Sequence, residues 1–151
     1  RRCGGFTLIE VITVIMIIGI LSAVVFTSAS LPSSDLSARL SEVRTQLRSL
    51  QLTAMKNGTT YLVMRCDGTN YWTFNSANAS TRLPLPGEAT SLVSLADKNM
   101  AMSSFIISYD ANGIPYSGDP QVKLTANATI TITTGGQSDT LTIIPETGFV
   151  R

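Results

Sequence analysis

The sequence predicts an α+β chain. A long N-terminal helix, apolar in its first half and amphipathic in its second with a bend near Pro32, packs on an antiparallel, β-sandwich-like head. Three observations predict it. The 21 residues from Phe6 to Phe26 are apolar except for Thr7, Glu10, Thr13 and Ser22. Apolar residues then recur at spacings of three and four from Leu36 to Ala54, the period of one helix face. From residue 59 onward the pattern shortens to β-forming runs broken by Asn, Asp and Gly, which reads as strands and tight turns. The expected divisions are a short leader at 1–5, a membrane-length helix at 6–31, an amphipathic helix at 32–58 and a β head at 59–151.

Composition narrows the function classes. The chain has 151 residues and a formal charge of +1, so the residues beyond the apolar run suffice for one modest domain. Without Arg1 and Arg2 the balance is close to neutral, which is not the profile of a strongly basic nucleic-acid binder or an acidic tail. There is no histidine, which removes the commonest general base and metal ligand. Of the two cysteines, Cys3 precedes the apolar run and Cys66 lies in the head. Cys66 is expected to be a small buried apolar residue.

At about 1.5 Å per residue the apolar run matches the roughly 30 Å hydrocarbon core of a bilayer. Arg1 and Arg2 lie before it, and the first basic residue after it is Arg39. The distribution of positive charge thus places the N-terminus in the cytoplasm and the rest outside it. A secretory signal peptide would carry a small-residue cleavage site near Ser22-Ala23 or Ser28-Ala29-Ser30. This run is longer than the usual apolar region of such a peptide, and Glu10 interrupts its beginning. A carboxylate at the centre of a membrane helix costs about 2.5–3.5 kcal/mol, less near an end where it reaches the interface. A cut between Gly5 and Phe6 would give Glu10 a partner. The new α-amino group at Phe6 would lie one helical turn from the carboxylate, in the same chain or a neighbouring one.

Gly4-Gly5-Phe6-Thr7-Leu8-Ile9-Glu10 closely resembles the class III signal of type IV pilins and type II secretion pseudopilins. The resemblance implies that a prepilin peptidase cuts between Gly5 and Phe6 and methylates the Phe6 amine. It also implies that Glu10 is the carboxylate that docks one subunit on the next, with Phe6 and Leu8 in the packing face and Gly19 where the family often has a helix-loosening glycine. The leader is short and lacks a starting Met, so its front is expected to be trimmed.

Pro32 should interrupt the helix, with Ser33, Ser34 and Asp35 supplying cap chemistry for the next one. The stripe Leu36, Leu40, Val43, Leu47, Leu50 and Ala54 then faces a core. Arg39, Glu42, Arg44, Arg48, Gln51 and Lys56 are expected on a solvated face, and Asn57-Gly58 ends the helix. A strand from Thr60 to Arg65, a turn at Asp67-Gly68 and a strand from Tyr71 to Phe74 form a hairpin, with Trp72 and Phe74 expected together in the core. Residues 75–103 read as mostly loop, with a strand near 91–95, and a loop of that length is a candidate for partner contact. Further strands are expected at 104–109, 114–116, 129–133 and 140–144, the last two joined by a turn over 135–139. Ile130, Ile132, Leu141 and Ile143 should share the buried face.

The chain carries no nucleophile motif, phosphate-binding glycine loop or cysteine cluster. Asp110, Asn112 and Asp119 lack the spacing of a calcium loop. No enzyme, cofactor or metal is expected. The ending Thr147-Gly148-Phe149-Val150-Arg151, after a β-hairpin, resembles the H-type (GspH) minor pseudopilins and the FimT/FimU-type minor pilins. The resemblance implies a structural subunit of a type II secretion pseudopilus or type IV pilus, which initiates, caps or tunes the fibre. Its partners would be other pilins or pseudopilins through the N-terminal helix, the prepilin peptidase, the inner membrane and a secreted substrate, with the head in the periplasm. Some FimT-branch members bind DNA through a C-terminal Gly-Arg-x-Arg. Phe149 stands at the first of those arginines here, which disfavours DNA and leaves Arg151, with Arg44 and Arg48, as the candidate contacts of that alternative.

Overall fold

A computed structural model describes residues 7–27, 32–58 and 62–151, with the backbone alone at 21–27, 32 and 33. The chain divides into two compact units, Arg1–Leu31 and Pro32–Arg151. The fold is α+β, with two helices and antiparallel sheets.

The first unit contains α1, Leu8–Thr27. The second opens with α2, Pro32–Asn57. Residues 28–31, where the bend was expected to begin, lie outside the described residues. Pro32 is the first residue of α2, not a breaker ahead of it. At the start of a helix its missing N–H would have had no partner and its fixed φ is already helical. Ser33, Ser34 and Asp35 consequently lie inside the first turn, where the Asp35 carboxylate favours the positive end of the helix dipole. Gly58, at φ +69°, closes α2 by donating its N–H to Ala54 O at 3.1 Å, as a C-terminal glycine does.

Ten strands follow. A seven-stranded antiparallel sheet has the order β3 (Asn78–Leu83), β2 (Asn70–Asn75), β1 (Leu62–Cys66), β6 (Phe105–Tyr109), β7 (Pro115–Ser117), β8 (Val122–Lys123), with β4 (Leu92–Ser94) also paired to β2. A three-stranded sheet has the order β10 (Gln137–Ile143), β9 (Ala128–Thr134), β5 (Met100–Met102). Both sheets pack on α2. The expected stripe is the buried one: Leu36, Leu40, Val43, Leu47, Leu50 and Ala54 join a single core with Leu62, Met64, Cys66, Tyr71, Ile107 and Tyr109 of the larger sheet and Ile130, Ile132, Leu141 and Ile143 of the smaller. Cys66 is a free, buried thiol, and burial pushes its pKa up.

Four further expectations are corrected. Region 75–103 is not mostly loop: it holds β3, β4, a short 3-10 turn at Ala96–Lys98 and β5. β3 is an exposed edge strand of small polar residues, held by main-chain pairing with β2, so it lacks the apolar alternation that marks a half-buried strand. The turn between β9 and β10 is only Gly135-Gly136, both at positive φ, which a two-residue hairpin turn requires. Trp72 and Phe74 do share a face, but the core takes their neighbours Tyr71 and Thr73, and the two aromatic rings stay half-buried on the opposite side of the sheet.

The fourth correction is Arg39, which is buried at 3% exposure rather than solvated. Its guanidinium donates to Tyr71 Oη at 3.0 Å and pairs with Glu88 and with Glu42. Burial opposes its charge, but Tyr71, Glu88 and Glu42 outweigh that penalty and hold its pKa above the ordinary value. The cluster, with Gln46 Nε2 donating to Pro86 O at 3.3 Å and Leu85 in the core, fastens the 83–88 segment to α2.

The last residues are equally fixed. Thr142 and Arg151 exchange both backbone hydrogen bonds, at 2.9 and 3.0 Å, and Ile144 N–H donates to Phe149 O at 2.9 Å. Gln51 Nε2 donates to Gly113 O at 2.8 Å and to Thr147 O at 2.7 Å. One amide thus ties a turn of the larger sheet and the C-terminal tail to the same helix. Gly148, at φ +66°, sits in this junction, and a Cβ there would meet Gln51 Nε2 at 2.6 Å, Gly113 O at 2.7 Å and Tyr109 Cε1 at 2.8 Å.

This packing makes two outcomes measurable. Gly148→Ala combines a disfavoured φ with a clash and should cost about 2 kcal/mol or more, a melting temperature lower by several degrees. Gly136→Ala, at φ +82° with nothing within 4 Å, should cost less. Thermal unfolding of the two variants side by side checks the order. Alkaline titration of tyrosinate absorbance gives the second. Tyr71 is pushed up to about 12, chiefly by burial, and burial also raises Tyr109. Unfolded tyrosine loses its proton near pH 10, so the stability these groups confer is complete below about pH 10 and is lost as pH rises toward 12. Tyr71 and Tyr109 should therefore titrate late in the folded protein and normally after denaturation.

Candidate functional site

The candidate site lies in the first unit. Thr7 immediately precedes α1, and its carbonyl accepts from the N–H of Glu10 at 3.1 Å and of Val11 at 3.4 Å. The Glu10 carboxylate turns back and accepts from the Thr7 backbone N–H at 3.3 Å and the Thr7 hydroxyl at 3.2 Å. Thr-x-x-Glu before an apolar run is the spacing of a capping box, in which the acid satisfies the first free donor of the helix. The negative charge also lies at the favourable end of the helix dipole. Thr13 spends its hydroxyl within the helix, donating to Ile9 O at 2.7 Å, so it presents no unsatisfied donor to apolar surroundings.

Beyond the cap, α1 is apolar on every side. Leu8 is 79% exposed, and Ile9, Val11, Ile12, Val14, Ile15, Met16, Ile17, Ile18 and Ile20 are all exposed. A helix of this kind is stable when lipid or other helices surround it. Gly19 has nothing within 4 Å of where a Cβ would stand, so no contact among the described residues requires a glycine there. Among the described residues no helix is long and apolar enough to cross a membrane; the side chains of α1 are described from Leu8 to Ile20. Gly5 and Phe6, the expected processing junction, lie outside the described residues.

The residues considered for DNA contact are placed as follows. Arg48 Nη2 donates to Val150 O at 2.9 Å, and its guanidinium lies 5.0 Å from the centroid of the Phe149 ring. Arg48 is therefore occupied in holding the tail, and the phenylalanine that replaces the expected arginine is its stacking partner. Arg151 is exposed, with its backbone paired to Thr142. Arg44 is half-buried, and its Nε is buried without a partner among the described residues. The carboxylates considered for cation binding serve turns: Asp110 accepts from the N–H groups of Asn112 and Ile114 at 2.9 and 2.8 Å. Among the described residues no three of His, Cys, Asp and Glu gather to hold a metal.

Two contacts come from the structure and not from the sequence pattern as read. The Thr7 cap of Glu10 has a signal, the Thr-x-x-Glu spacing. The Gln51 bridge has none, because both its acceptors are backbone carbonyls distant in the chain.

Comparison with known proteins bears on the N-terminal segment alone. No curated protein and no solved structure matches the chain. Residues 1–26 match the prokaryotic N-terminal methylation motif, and this signal, with the capped apolar helix it contains, points to a type IV pilin-like protein.

Proposed function

We propose that the chain is a minor pilin or pseudopilin, a structural subunit of a type IV pilus or of a type II secretion pseudopilus. The observation that carries this reading is the methylation motif over residues 1–26, with Glu10 as the single charged residue of a helix otherwise apolar all round. In this reading the chain is inserted in the inner membrane through the apolar run, with the head on the periplasmic side. Prepilin peptidase cuts between Gly5 and Phe6 and methylates Phe6. The exposed apolar surface of α1, including Leu8 and Ile9, then exchanges lipid for the helices of neighbouring subunits. The enclosed, well-fastened head is consistent with a structural part. The H-type assignment rests on the Thr147-Gly148-x-Val150-Arg151 ending, which packs against α2 through Arg48 and Gln51.

Glu10 has two tasks in this account, and they separate by substitution. Within one chain it caps Thr7; between chains its charge meets the Phe6 amine of a neighbour. Glutamine serves in a capping box but carries no charge. Glu10→Gln and Glu10→Leu should both enter the membrane and be cut normally, and both should be missing from sheared fibres. A Glu10→Gln protein that assembles like the wild type would reduce Glu10 to its capping role and remove the docking claim.

A further inference from the structure

The face of the larger sheet turned away from α2 is chemically distinct from the rest of the head. One cross-strand row on it runs Arg82, Phe74, Val63, Ser108, Tyr116, Lys123 through β3, β2, β1, β6, β7 and β8. The row beside it contains Trp72, Arg65 and Ile106. Alternation puts these residues opposite Leu62, Met64, Tyr71 and Ile107, which belong to the core; Val63 and Ser108, at the middle of the row, are buried but stand outside that core, so the accessible groups lie on either side of them. Trp72, Phe74 and Tyr116 are half-buried, and Arg65, Arg82 and Lys123 are exposed.

Two features show what such a face suits. The seven strands of this sheet contain three cations and no Asp or Glu; the nearest acids in the chain, Asp67, Asp110 and Asp119, lie beyond the strand ends, and Asp67 is engaged by the N–H groups of Thr69 and Asn70 and Asp110 by those of Asn112 and Ile114. Trp72 has a guanidinium on either strand beside it, Arg82 at 5.3 Å and Arg65 at 6.0 Å from the ring centroid. Among the described residues neither guanidinium makes a hydrogen bond or ion pair, so their planes are held by the indole while the guanidinium N–H donors stay open. Six strands at about 4.8 Å spacing give a track of about 24 Å.

We infer that this face binds single-stranded nucleic acid. A ligand for it must bring negative charge to strands that carry cations and no acids, and planar groups to aromatic and guanidinium planes. A single strand supplies both along its length: phosphates for Arg65, Arg82 and Lys123, and bases free to stack. A duplex hides its base faces, and an acidic peptide has charge without the planes. The inference uses the head alone and does not rest on the pilin reading. It also lies on a different surface from Arg48 and the C-terminal tail.

Trp72 is the only tryptophan, so its fluorescence reports on this face. The full chain in detergent micelles is titrated with a thymidine oligonucleotide, with the same sequence as a duplex, and with polyglutamate. The single strand should quench Trp72, with the logarithm of affinity falling against the logarithm of salt at a slope of about −2, as three phosphate contacts require. Arg65→Gln with Arg82→Gln should weaken binding about tenfold or more and bring the slope to about −0.7. Lys123→Gln, on a peripheral two-residue strand, should lower the slope by about 0.7, and Arg48→Gln should change nothing. No quenching at low salt, an unaltered slope in the substituted proteins, or equally tight binding of the duplex or of polyglutamate would overturn the inference, the last in favour of a protein partner.

Discussion

The head depends on one face of α2. Leu36, Leu40, Val43, Leu47, Leu50 and Ala54 are the surface against which two separate sheets are packed, so the helix supplies what neither sheet has alone, a second layer. The polar residues on its flanks extend the same role. Arg39 and Gln46 hold the 83–88 segment, Gln51 holds a turn of the larger sheet and the tail together, and Arg48 holds the final strand pairing. Segments distant in sequence are thus located by a single continuous element. The cost is buried polar groups that must stay paired, which explains why Arg39 has three partners rather than one.

The first unit obeys a different constraint. Its described apolar side chains, from Leu8 to Ile20, are exposed, and its one carboxylate is satisfied locally by Thr7. That combination suits a segment that must be stable in lipid first and among other helices afterwards. It also accounts for an acid at the start of such a helix: the cap gives it hydrogen bonds within the chain.

Much of this was legible from residue patterns. The stripe of α2 follows from spacing alone, and β9 and β10 from the alternation of Ile130, Ile132, Leu141 and Ile143. Arg39 shows where residue type misled. It stands three residues after Leu36 and four before Val43, so spacing alone puts it on the buried face, but its charge argued for solvent; Tyr71 and Glu88, which neutralise and bind it, come from distant segments. For Trp72 and Phe74 the alternation identified a shared face but not which face met the core, since Tyr71 and Thr73 alternate equally well. β3 was hidden because an edge strand needs only backbone pairing. In the candidate site, the motif was legible because it lies in one short run of residues, whereas the Thr7 cap of Glu10 emerged only from the structure although its spacing was there to read. The cation-flanked Trp72 was not legible, since it depends on the pairing of three strands.

The central claim is that the chain is processed as a pilin-like subunit at the Gly5–Phe6 junction. The most direct measurement is mass spectrometry of the N-terminal peptide of the mature protein, recovered from cells that contain a prepilin peptidase. The account predicts a chain beginning at Phe6 and heavier by one methylene group, the mark of N-methylation. A mature chain beginning near Ala23 or Ala29, or one retaining Gly5, would contradict it.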